Sequence, residues 1–329
     1  MERQKQTDLI LFRLQRASII CCEQESMARH TTFAIGGTAK YFVTLKNEDE
    51  LMQSVRIARE CAVPYAVLGR GSNVLVSDGG FDGMVISTLG MRYISVLQNN
   101  TDADQTPRIV AECGVSLREL ALFAAEHGWR GLEFAHGIPG TVGGAVRMNA
   151  GAFEGSIGAL TQKVRCYCAA NDSIEIVSGE ALAFSYRHSF LTDRPDLICL
   201  SATFTLPQAD TEIEKEERQL KIRQEMERMR QRRRATQPLE FPSAGSVFKR
   251  PRGYFAGKLI EDCHLKGTQI GGAQISEKHA GFIINRGGAT AADVRVLVRL
   301  IQKEVKNKFD VDLDEEIIYL DSDSGAAVE

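Results

Sequence analysis

Residues 131–152 read GLEFAHGIPGTVGGAVRMNAGA, and this stretch constrains the chain more than any other. Glycine occupies positions 131, 137, 140, 143, 144 and 151, and Pro139 fixes one φ among them. Ile138, Val142, Ala145 and Val146 stand between the glycines, so the segment lacks the polarity of a solvated linker. Such a sequence suits a backbone that approaches a ligand closely while staying buried. Its free N–H groups could then meet the oxygens of a phosphate or pyrophosphate. A set of tight turns in a compact β-rich region fits the same residues, and the rest of the chain has to decide between the two.

At 329 residues the chain exceeds one ordinary domain and has room for two or three. Its 43% hydrophobic and 25% charged residues are those of a soluble globular protein. The net charge of −3 selects no anionic partner, because a local patch can sit beneath a balanced total. No apolar run reaches the roughly 20 residues that cross a bilayer. The N-terminal apolar runs are broken by Arg13, Gln15 and Arg16, unlike a secretory signal, so a helix laid on the body of a cytoplasmic protein is expected. Eight cysteines without any C-x-x-C spacing suit neither zinc nor a disulfide framework. They are expected to be reduced thiols, with no metal site.

Along the chain, Tyr41–Thr44 reads as a strand, Asn47–Ala62 as a helix and Tyr65–Leu68 as a second strand, a β-α-β unit. Gly69-Arg70-Gly71-Ser72-Asn73 follows, a glycine loop at the end of a strand. That is a common phosphate position, although a hairpin fits it equally. A polar loop spans 98–107, and Ser116 to Glu119 has the form of a capping box. Strands are expected over 164–168, 174–177 and 197–206. Later come a helix over 256–264, a strand at 282–284, a helix capped by Thr290 and Asp293, and a strand at Val311–Leu313. Residues 211–234 are densely charged and end in Arg232-Arg233-Arg234 before Pro238 and Pro242, a plausible domain junction. No aromatics interleave with the arginines, so a solvated helix face or a site for an anionic substrate fits better than nucleic acid.

Chemistry alone therefore offers two glycine loops suited to a dinucleotide and separate polar groups at Arg187, Ser246 and Glu316. There is no P-loop and no G-x-G-x-x-G opening a helix. At these residues the sequence resembles the UDP-N-acetylenolpyruvoylglucosamine reductase family. The matching blocks are LGRGSNVLVSDGGFDGMVI (68–86), GLEFAHGIPGTVGGAVRMNAGAF (131–153), YRHSF (186–190), QPLEFPSAGSVFKRP (237–251), AGKLIEDCHLKG (256–267), IGGAQISEKHAGFIIN (270–285) and LDEEI (313–317). They run in family order from about Thr32 to Tyr319.

The resemblance implies an α+β chain: an FAD-binding fold of two subdomains, similar to vanillyl-alcohol oxidase, then a smaller substrate-binding domain. The expected boundaries are an N-terminal helical segment at 1–30, subdomains at 31–90 and 91–207, the substrate domain at 208–320 and a tail at 321–329. It implies noncovalent FAD, NADPH as hydride donor, reduction of UDP-N-acetylglucosamine enolpyruvate to UDP-N-acetylmuramate for peptidoglycan, and a cytoplasmic monomer without nucleic acid or membrane partners. By motif match, Ser246 is the proton donor, and Arg187 and Glu316 stabilise the intermediate. Glu316 acts either protonated or by holding another donor, and the residues leave both open. The cofactor would lie on Gly69, Arg70, Gly71, Ser72, Asn73, Gly137, Ile138, Pro139, Gly140, Thr141, Gly143, Gly144, Ala145, Asn149 and Gly151. Tyr186, Arg234, Gln237 and Lys249 are candidate substrate contacts. His279 in its matching block is expected to pack, and His136 and Arg147 to act locally. Two departures stand out: His188 where many members carry Asp, and Ile318 where Arg is frequent. The short stretch from Arg187 to Gln208 lacks room for a tyrosine-bearing insertion, which implies a shorter-loop subtype. Alternatives are another FAD-dependent oxidase or dehydrogenase of the same superfamily, or a non-catalytic nucleotide-binding module.

Overall fold

The computed structural model describes residues 2–97, 106–208 and 212–321. Most of the expected polar loop at 98–107, the first residue of the charged run and the tail beyond Asp321 lie outside the described residues. The first unit contains α1 (Glu2–Arg16), β1 (Cys21–Ser26), β2 (Thr38–Thr44), α2 (Glu48–Glu60), β3 (Tyr65–Leu68), β4 (Val74–Val76) and β5 (Phe81–Ser87). Its sheet runs β1-β2-β5-β3, with β1 antiparallel and the other neighbours parallel. The β-α-β reading is present, with Asn47 capping α2 through the Glu50 amide. The N-terminal segment is more than helical, because β1 completes this sheet.

The second unit is built on an antiparallel sheet ordered β11-β10-β12-β7-β6. Its elements are β6 (Ile94–Val96), β7 (Arg108–Glu112), α3 (Leu117–Glu126), α4 (Val142–Arg147), β8 (Gly151–Ala152), β9 (Gly155–Ser156), β10 (Thr161–Cys168), β11 (Ser173–Ser178), α5 (Phe190–Asp193) and β12 (Leu197–Thr205). The Ser116–Glu119 capping box opens α3, as its sequence implies. A 3-10 turn, Glu133–Gly137, precedes α4, so the glycine stretch folds as turn, loop and short helix.

Helix α6 (Lys215–Thr236) carries the charged run. It packs on α3 and the 3-10 turn, and its only buried residues, Ile222 and Met226, join the core of the first two units. Ion pairs such as Arg228–Glu225 and Arg230–Glu227 lace its outer face, so much of the run is a solvated surface. The third unit contains α7 (Ala256–Asp262), β13 (Gln269–Ile270), β14 (Ala273–Ile275), β15 (Ile283–Asn285), α8 (Ala291–Phe309) and β16 (Ile318–Leu320). Val294, Leu297, Ile301 and Val305 of α8 line its separate core, behind the Thr290–Asp293 capping box.

The strand expected at Val311–Leu313 is absent. The segment alternates because Leu313 packs into the third core, while its backbone is held by single contacts, Gln302 Nε2 to the Leu313 carbonyl among them, and no ladder. The chain then returns to the first unit, where β16 pairs in parallel with β4. All eight cysteines are free. Burial pushes the Cys113 and Cys166 thiols up to about 12. No helix among the described residues is long and apolar enough to cross a membrane.

Candidate active site

The two glycine loops touch. Gly69 lies so close to Thr141 that a Cβ there would sit 2.2 Å from the threonine Oγ1. Both loops are anchored through their carbonyls: Gly71 O accepts from Thr32 N, Asn73 O from Ile318 N and Gly140 O from Leu117 N. Among the described residues, no acceptor faces the amides of Arg70, Gly71, Ser72 and Asn73, nor those of Gly140, Thr141 and Gly144. A group of outward N–H donors at a loop and a helix start is the chemistry that binds a pyrophosphate.

Two cavities meet along this donor surface and share Ile138, Pro139, Gly140 and Thr141. One, of ≈ 550 Å³, is lined also by Arg70, Arg92, Arg118, His136 and Gly137. The other, of ≈ 560 Å³, continues over Ser72, Asn73, Gly144, Ala145 and Gly151 to Arg187, Gln237, Ser246 and Glu316. Each falls in the roughly 300–1,000 Å³ range of small-molecule sites. Adjoining each other, with free amides where they meet and arginines on both, they fit an elongated dinucleotide such as FAD.

Beyond the cradle, three remote segments converge. Arg187 sits on a two-residue turn closed by Ser185 and His188, with its backbone left-handed at φ 56. Its Nε donates to Glu316 Oε1 at 2.5 Å, and the two side chains are only 22% and 12% exposed. Burial raises the Glu316 pKa, opposed by the cations of Arg187 and Lys249. Glu316 is fixed by its backbone as well: its N–H donates to Val247 O at 2.7 Å, and its carbonyl accepts from Asn73 Nδ2 at 2.9 Å. Ser246 precedes Val247 and pairs with Phe282 across an isolated bridge. Its hydroxyl has no protein partner among the described residues and lies on the wall of the same cavity. A third cavity, of ≈ 330 Å³, adjoins this one and is lined by Tyr186, Arg250, Phe255, Lys258, Lys266, Lys278 and His279.

Several expected contacts stand elsewhere. Gly69, Gly71, Gly143 and Asn149 line none of these cavities. Gly71 lets the loop pass His30 O, which a Cβ would approach to 2.4 Å, and Gly143 packs on Cys113. Arg234 is exposed and off the cavity walls, while Lys249 is half-buried behind Glu316. Tyr186 faces the third cavity, its hydroxyl accepting from Arg250 N at 3.2 Å. Within the arginine run expected to suit an anionic substrate, Arg232 stacks over Phe153 at 5.3 Å and Arg233 donates to Gly137 O, both on the main cavity wall. His279, expected to pack, lines two cavities. The Gly281 amide donates to His279 Nδ1, which leaves the ring proton on Nε2, and burial holds its pKa low.

Residues 39–173 match the family model of an FAD binding domain, and residues 237–320 match that of the UDP-N-acetylenolpyruvoylglucosamine reductase C-terminal domain. The chain is 41% identical over 307 residues to the UDP-N-acetylenolpyruvoylglucosamine reductase of Lactobacillus helveticus, covering 93% of this chain and 97% of that one. The reductase of the same name from Caldanaerobacter subterraneus is 44% identical over 293 residues, covering 89% and 91%. Among solved structures, the UDP-N-acetylenolpyruvylglucosamine reductase of Thermus caldophilus has a TM-score of 0.72 at 32% identity, covering 92% of this chain and 98% of that one. The expected α+β architecture, an FAD-binding part followed by a smaller C-terminal domain, agrees with these matches.

Proposed function

The chain belongs to the UDP-N-acetylenolpyruvoylglucosamine reductase family, and from that premise we propose how its site works. The protein is an FAD-dependent oxidoreductase that reduces UDP-N-acetylglucosamine enolpyruvate to UDP-N-acetylmuramate for peptidoglycan, with NADPH as electron donor. We read it as a cytoplasmic monomer of the shorter-loop subtype, supported by the passage from Arg187 to Gln208 through α5 and β12 alone. The convergence of Arg187, Ser246 and Glu316 on a cavity walled by the glycine cradle carries the reading.

When held on the glycine cradle, FAD would supply hydride-transfer chemistry, with NADPH as the donor and C3 of the enolpyruvyl double bond as the acceptor. As that bond is reduced, negative charge moves onto the substrate carboxylate. Arg187 supplies a permanent cation with forked donors for it. Ser246 then delivers a proton to C2. A hydroxyl is a weak acid, and it transfers here because the cavity is partly dry and the recipient strongly basic. Glu316 orients Arg187 through the 2.5 Å contact, and the turn beneath Arg187 fixes the other end of the guanidinium stem. Arg70, Arg92 and Arg118 on the adjoining cavity suit the pyrophosphate of the dinucleotide, and Arg232 and Arg233 suit the diphosphate of the UDP-sugar.

The purified protein is expected to be yellow, with a flavin absorption spectrum. NADPH bleaches it anaerobically, and UDP-N-acetylglucosamine enolpyruvate restores the colour. Re-oxidation by oxygen but not by that substrate would refute the reading in favour of an oxidase. A colourless protein that takes up no added FAD would refute it in favour of a non-catalytic binding module.

A further inference from the structure

Asn149 has a left-handed backbone, φ 44, which asparagine tolerates better than most residues. Both halves of its amide are engaged. Nδ2 donates to Ser185 O at 2.7 Å, and Oδ1 accepts from Gly158 N at 2.9 Å. One partner is an acceptor and the other a donor, so a carboxylate matches only half of the arrangement. Ser185 is the residue that opens the Arg187 turn: its N–H donates to His188 O at 3.0 Å, and His188 N returns to Ser185 O at 3.3 Å. The left-handed φ of Arg187 is strained for its residue type and persists only where the surroundings hold it.

The same short segment grips the far arm of the turn. Ser189 Oγ and Thr192 Oγ1 both donate to Arg147 O, at 2.8 and 3.0 Å, and Arg147 Nη1 donates to Leu191 O at 2.6 Å. Residues 147–149 end α4, the helix that leaves the glycine cradle. The turn carrying Arg187 is therefore fastened on both sides to the cradle.

We propose that Asn149 is the positioning residue for Arg187. It registers the guanidinium against the flavin cradle, so that Glu316 receives an arginine already in place. Asn149 touches neither cofactor nor substrate in this role, and the inference rests on the reductase reading above.

The test uses the holoenzyme with Asn149→Asp, which keeps an oxygen for Gly158 and turns the Ser185 contact into two facing acceptors. In single-turnover anaerobic mixing, re-oxidation by UDP-N-acetylglucosamine enolpyruvate slows about 10-fold, while the FAD Kd and the NADPH reduction rate stay within about twofold. Added to Arg187→Ala, the same change costs no more than about a further twofold, because the residue it aims is gone. Asn149→Gly accepts the left-handed backbone without strain and loses both contacts, so it repeats the test should Asn149→Asp not fold. Wild-type re-oxidation in both variants would overturn the proposal. So would an undiminished loss in the Arg187→Ala background, or FAD affinity falling in step with re-oxidation. Those results leave the reductase reading standing, which fails separately if the wild-type flavin is not re-oxidised by the substrate.

Discussion

Gly69→Ala tests the contact between the two glycine loops. The added Cβ would lie 2.2 Å from Thr141 Oγ1 and 3.3 Å from both Thr141 Cβ and Cγ2. Rotating the threonine moves the oxygen but leaves its Cβ crowded, and at 3% exposure the side chain has no open space to enter. The loops must part, at an overpacking cost of about 1–3 kcal/mol. That movement displaces the free amides of Arg70–Asn73 from those of Gly140, Thr141 and Gly144. Losing one charge-assisted hydrogen bond to a pyrophosphate weakens binding by about 1.5–3 kcal/mol, or roughly 10–100-fold in Kd. Fluorescence titration of apoprotein with FAD, beside thermal melts with and without FAD, reads both effects. Thr141→Ala in the same chain removes Oγ1 and Cγ2 and should recover most of the loss. Wild-type FAD affinity in Gly69→Ala, or no recovery in the double variant, would refute the idea that the two loops form one binding surface.

Ser246→Ala should leave NADPH reduction of the flavin nearly unchanged and slow product formation about 10²–10⁴-fold; equal loss in both half-reactions would exclude proton donation. Glu316→Gln should lower substrate-driven re-oxidation about 10-fold at neutral pH. In the wild type the rate should fall on acidification, because the carboxylate protonates above its ordinary pKa and releases Arg187. The variant should lose that acid limb, and an identical acid limb in both proteins would remove Glu316 from the pairing role. Met226→Ala deletes one of two buried anchors of α6, so chemical denaturation should show about 2–5 kcal/mol of lost stability; a loss within error would mean that α6 is not docked as described.

Local signals were readable in the sequence wherever a side chain answers its own neighbours. The Ser116–Glu119 and Thr290–Asp293 boxes cap the helices they precede, and Leu51, Val55 and Ala58 are buried at the spacing that suggested α2. Long-range pairing carried no such signal. Nothing near Ile318 indicates that it crosses back to β4, yet that pairing brings Glu316 to the Asn73 side chain. The Val311–Leu313 alternation came from one-sided packing, which period-2 reading cannot tell from a ladder. The arginine run illustrates a phase problem. Successive helical residues turn about 100°, so three adjacent arginines point three ways. Ile222 and Met226 set the buried stripe, and continuing it by seven residues from Met226 arrives at Arg233, the arginine that reaches Gly137. The phase was present in the sequence, but two apolar residues among so many charges gave too thin a stripe to act on.

The role of Glu316 shows what the geometry adds. A bare carboxylate beside an anionic substrate repels it, which left two readings open: a protonated acid, or an anion holding another donor. Burial favours the acid, whereas the cations of Arg187 and Lys249 favour the anion. The contact supports the anion as the reading proposed here, because an arginine Nε–H is donor-only and at 2.5 Å it meets an oxygen best when that oxygen carries charge. Arg187 has five donors, and this contact uses one, with Nη1 leaning weakly on Gly151 O at 3.5 Å. The remaining donors stay available to a substrate carboxylate. A largely buried ion pair gains little stability over an apolar pair of the same shape, so what this pair contributes is geometry more than energy. The pair lets a cation wait in a partly desolvated cavity without being drawn elsewhere. Asn149 then matters for the same reason from the other side: Glu316 fixes where the guanidinium ends, and the Ser185 turn fixes where its stem begins.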